Sequence, residues 1–107
     1  LVSGEVVARA AVVVAPRFTA RAGVLAALGL AATDQAMRGA VVGSAVAADP
    51  TGATAVPGVW VAGNVSDLSA QVVVSAAAGM RAAAMINADL VAEDARGAVA
   101  ERRRGPA

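Results

Sequence analysis

The chain contains no cysteine and no histidine. That excludes disulfides, thiolate chemistry, the usual zinc ligand sets and every Ser-His or Cys-His nucleophile. Lysine is missing as well, so all nine basic residues are arginine. Aromatic residues are nearly absent: one Trp, one Phe and no Tyr among 107 residues. A strong charge bias is lacking too. The formal net charge is +1, but three of the arginines lie in the closing stretch ERRRGPA. The rest is near neutral, so no nucleic-acid partner is expected, and Arg102 to Arg104 read as a solvated basic end. Leu1-Val2-Ser3 resembles neither a secretory nor a transit leader, and the sequence is expected to start inside a longer protein.

What is present is alanine, valine and glycine. The hydrophobic fraction is 58%, yet much of it is residues that bury little area each. One small domain with a shallow core is expected. The apolar stretch from Val72 to Val91 has the length of a membrane span. However, Arg81, Asn87 and Asp89 interrupt it, and placing such charges mid-bilayer costs several kcal/mol, so no membrane partner is expected.

Residues 5–15, EVVARAAVVVA, read as a valine-rich strand buried on both faces in its second half and ended by Pro16. Residues 20–30 place Val24, Leu25 and Leu28 at helical spacing, with Gly29 as the stop. Residues 31–40 are polar and read as loop. Residues 41–48, VVGSAVAA, form a strand, and Asp49-Pro50-Thr51-Gly52 is a turn. Val59 to Ala62 reads as a short strand. From about Asp67 to Asp94 the alanine-rich run forms one helix, with Ser66 and Asp67 as cap candidates. Gly79 in its interior costs roughly 1 kcal/mol relative to alanine and is expected where another backbone or a ligand comes close. The domain is expected over residues 1–97, with 98–107 a disordered basic tail.

This order of strands and helices gives an α/β layer architecture. Ligands in such folds gather beyond the carboxyl ends of strands, where helix N-termini present free N–H groups. The junction AGNVSDLSAQV has that character. Gly63 permits a sharp exit and close backbone approach, Asn64 both donates and accepts, and the helix start carries about half a unit of positive charge. A polyhydroxylated or anionic ligand suits it. Ordinary turn chemistry accounts for the same residues, with Asn64 as a helix cap.

The stretch ATAVPGVWVAGNVSDLSAQVVVSAAAGMRAAAMINADL resembles the C-terminal flavin-binding segment of the thioredoxin reductase-like pyridine nucleotide–disulfide oxidoreductases. Their pattern runs T-x-x-P-G-[VL]-[FY]-A-x-G-D, then R-Q-[AI], then A-x-G-x-G-x-x-A-A. Thr54, Pro57, Gly58, Val59, Gly63, Gln71, Ala77, Gly79, Ala82 and Ala83 fall in register, and VARAAVVVAPRFTAR resembles the strand returning from the nucleotide domain. The resemblance implies a partial Rossmann-like FAD/NAD(P)-binding domain: its C-terminal strands and long terminal helix, incomplete on its own.

The resemblance also implies a cytoplasmic oxidoreductase with FAD as cofactor and NAD(P)H as substrate of the intact parent. The implied cofactor-binding residues are Gly63, Asn64, Ala70, Gln71 and Val72. Asn64 meets the ribityl chain, and the backbone N–H groups of Gln71 and Val72 meet the pyrimidine edge of the isoalloxazine. No residue reads as a catalytic acid or base. Asn64 replaces the usual Asp, Ala70 replaces the Arg of the R-Q pair, and the spacing from Gly63 to Gln71 is one residue shorter. The glycine-rich dinucleotide motif, the NAD(P) domain and any C-x-x-C pair are not in this sequence. The implied partners are the missing N-terminal part of the same flavoprotein and, in the parent, a second copy. Two rivals stand beside this: a non-catalytic α/β module that packs on a partner without cofactor, and a ferredoxin–NADP reductase of the same branch.

Overall fold

The computed structural model describes residues 2–105 of the chain. Its regular elements are β1 (Phe18–Thr19), α1 (Gly23–Ala26), β2 (Ala32–Met37), β3 (Ala40–Val46), a single 3₁₀ turn (Gly63–Val65) and α2 (Val72–Arg104). The three strands form one mixed sheet in the order β1-β3-β2. β1 runs parallel to β3, with Phe18 opposite Gly43, and β2 runs antiparallel to it. A small mixed sheet beside a long helix makes this an α/β protein.

The β2–β3 hairpin falls where the sequence reads as loop and strand. Residues 31–40 are therefore not loop: Ala32–Met37 pairs with β3, from Met37 opposite Ala40 to Ala32 opposite Val46. The connection is Arg38-Gly39, whose φ angles are +52° and +82°. Positive φ at both central residues is the two-residue hairpin geometry that matches strand twist. Arginine is an unusual first residue for it, which hides the turn in the sequence. The β3 expectation for residues 41–48 holds over Ala40–Val46, and its C-terminal half supplies buried Ala45 and Val46.

The expected strand over residues 5–15 is absent. These residues have no regular structure, and Val12, Val13 and Val14 are exposed. Strand formation begins only past Pro16, at Phe18, because the ladder needs a partner and β3 reaches only Phe18 and Thr19. The helix expected over 20–30 shrinks to one turn between Gly23 and Ala26. Isolated helices this short are unstable without packing, and Gly29, at φ +76°, does end the segment. Val59–Ala62 makes a single antiparallel bridge, Ala53 to Trp60, rather than a strand. Thr54 organises that loop: its Oγ1 lies 3.0 Å from the Val59 carbonyl and accepts from the Val56 N–H at 3.2 Å. The Trp60 Nε1 is buried without a hydrogen-bond partner.

α2 begins at Val72, later than expected, and continues through Arg104. The stretch from residue 98, expected as disordered tail, is helical to Arg104, where arginines in the last turn favour the negative helix end; Pro106 and Ala107 lie outside the described residues. No helix among the described residues is long and apolar enough to cross a membrane.

The core is thin: Leu30, Ala45, Val46, Val61 and Ala82. The molecule spans 82 × 27 × 23 Å with a radius of gyration of 21.3 Å, against about 13 Å for a compact chain of this length. A Cβ on Gly43 would strike the Phe18 carbonyl and the Leu68 side chain, whereas a Cβ on Gly79 meets nothing within 4 Å. The close approach expected at Gly79 is thus not made within this chain.

These contrasts give paired expectations for denaturant midpoints followed by far-UV circular dichroism. Gly43→Ala should destabilise by about 1–3 kcal/mol, the range for overpacking. Gly79→Ala should stabilise by roughly 1 kcal/mol through helix propensity. Equal effects of the two substitutions would contradict this packing.

Candidate functional site

The junction between the Ala53–Trp60 loop and α2 is built on Gly63. It has φ +78° and is buried. A Cβ there would lie 3.3 Å from both Cβ and Oγ of Ser75, on the second turn position of α2. The glycine therefore satisfies two needs at once: a left-handed exit from the loop and close passage across the helix. Its carbonyl accepts from the N–H groups of Ser66 and Asp67, both at 3.1 Å, and from Ser66 Oγ at 3.2 Å. These bonds wind the chain into the 3₁₀ turn that carries Asn64.

Between that turn and α2, Asp67 closes a second small turn. Its Oδ1 accepts from Ser69 N at 2.8 Å and Ser69 Oγ at 2.6 Å. Ser66 and Asp67 are consequently not caps of α2, as the sequence suggested. The N-cap is Gln71, in extended conformation and without a side-chain cap bond. Ser75 N donates to Gln71 O at 2.8 Å, the first bond of the helical ladder. The N–H groups ahead of it have no intrahelical partner and carry the positive end of the helix.

A cleft of about 470 Å³ opens at this helix start. Phe18, Thr19, Ala20 and Arg21 line one side of it, and Asn64, Val65, Leu68, Ser69, Ala70 and Gln71 line the other. Three of the five residues singled out by sequence, Asn64, Ala70 and Gln71, therefore meet in one cavity. Gly63 lies buried behind the wall, and Val72 is exposed just past it. The opposing wall is β1 and the two residues that follow it, so the cleft stands at a strand's carboxyl end and before a helix N-terminus. Phe18 and Arg21 fall within VARAAVVVAPRFTAR, the stretch that resembles the returning strand, but they were not singled out as cleft residues because the valine-rich strand itself was read as ending at Pro16. The lining contains one guanidinium and no carboxylate. Its size falls within the range of small-molecule pockets.

A second cleft, about 410 Å³, lies between the Asp49–Gly52 turn and the middle of α2. Arg81 Nη1 donates to the Pro50 carbonyl at 2.9 Å, tying the helix to the turn. Asp49 Oδ1 accepts from Thr51 N at 2.8 Å, Thr51 Oγ1 at 2.6 Å and Ala53 N at 3.1 Å. The Thr51 hydroxyl, then its amide, with smaller help from the Ala53 and Gly52 amides, hold the Asp49 carboxyl below its ordinary value. The Ser69 hydroxyl and amide do the same for Asp67. Both carboxylates are committed to turns, and Asp49 matches the turn read from Asp-Pro-Thr-Gly.

The chain matches no protein-family model, no curated protein and no solved structure.

The two carboxylates set an acid limit. A carboxyl whose value is lowered on folding contributes stability above the unfolded value of about 4, and that contribution is lost as pH falls through the folded value. Carbon-13 titration should therefore show Asp49 and Asp67 protonating below the ordinary aspartate range. The thermal midpoint should fall on acidification below about pH 4, and Asp49→Ala with Asp67→Ala should flatten that fall. Ordinary midpoints for both groups would overturn the turn assignment.

Proposed function

We propose that this chain is the C-terminal portion of the flavin domain of a cytoplasmic, thioredoxin reductase-like oxidoreductase that uses FAD and NAD(P)H. The observation that carries the reading is the shared cleft of Asn64, Ala70 and Gln71 at the open start of α2. It supports the reading because the resemblance singles out those positions, which are separated in sequence by the Asp67 turn. Gly63 adds support, since its positive φ strains any side chain and a Cβ there would crowd Ser75 at 3.3 Å.

In this reading Asn64 accepts a hydrogen bond from a ribityl hydroxyl, which its amide oxygen does as well as the usual carboxylate, without the charge. Gln71 and Val72 turn backbone N–H groups toward the pyrimidine edge of the isoalloxazine. When bound, FAD supplies the hydride-accepting ring. The protein's part is orientation and a positive helix end that favours electron density at that edge. Ala70, where the family carries Arg, leaves this side of the ring without a side-chain cation. The chain offers one wall of the site. Pyrophosphate binding and the NAD(P) domain come from the missing N-terminal part, and the parent forms a homodimer.

The test is the full-length polypeptide that contains this chain. It should begin with a glycine-rich dinucleotide motif and purify yellow, with the visible flavin band. Asn64→Ala should weaken FAD binding by about tenfold or less, the worth of one hydrogen bond at roughly 0.5–1.5 kcal/mol, while Asn64→Asp should retain it. A colourless, stably folded parent that takes up no added FAD would sink the proposal and favour a module without cofactor.

A further inference from the structure

No further inference is drawn: the strongest candidate, the outward face of α2 with exposed Val73, Met80 and Val91, is an unpartnered apolar face, and nothing in the structure shows what covers it.

Discussion

The contact on which the rest depends is the passage of a glycine backbone across α2. At Gly63 the chain turns left-handed where a Cβ would lie 3.3 Å from Ser75. At Gly52, with φ +91°, a Cβ would sit 2.5 Å from the Val61 carbonyl and 3.5 Å from Ala82 Cβ. Alanine and serine on the helix and glycine on the loop let these layers approach closely. That approach buries Val61 and Ala82, and the Arg81 bond to Pro50 reinforces it from the side. Every residue of the cleft wall from Asn64 to Gln71 hangs between this contact and the first turn of α2.

Close packing of small side chains has a consequence for stability. Alanine and glycine give intimate contact but little buried area, and area is what drives folding, at about 25 cal/mol per Å². The five core residues cannot carry a chain this long by themselves. Its extended dimensions and its exposed valines express the same shortage. A helix apolar on more than one side is ordinarily buried on more than one side. The first half of α2 fits that description, with Val72, Val73 and Met80 exposed while Ala82 is buried.

The parts legible in the sequence were those governed by local chemistry. The Asp49 turn follows from a side chain that bonds its own backbone two residues on. The long helix follows from alanine propensity, and the Gly63 exit from a residue that tolerates positive φ. The parts that were hidden depend on partners. Residues 11–15 have strand composition but nothing to pair with, so they stay irregular. Residues 31–40 look polar because β2 is an edge strand with little to bury, and only pairing with β3 makes it a strand. The start of α2 was placed too early because Ser66 and Asp67 have the right side chains for caps. Those side chains instead serve turns five and four residues upstream of Gln71, where the cap for Val72 stands. Gln71, with no side-chain bond at the cap, gives no such signal.

The uncapped start matters to the cleft. A Ser or Asp at the cap would have filled the first N–H groups of α2 with an internal acceptor. Gln71 leaves them to water or to a ligand, and the Asp67 carboxylate that could have competed is already held by Ser69. Asn64 fits the same logic, since an amide at that wall offers an acceptor without cancelling the helix charge. The cleft, at about 470 Å³, is nonetheless lined by no glycine-rich phosphate loop. Most of the binding energy for FAD in the proposed reading must then arise elsewhere in the parent. In that reading this wall orients the ring end and tunes its charge.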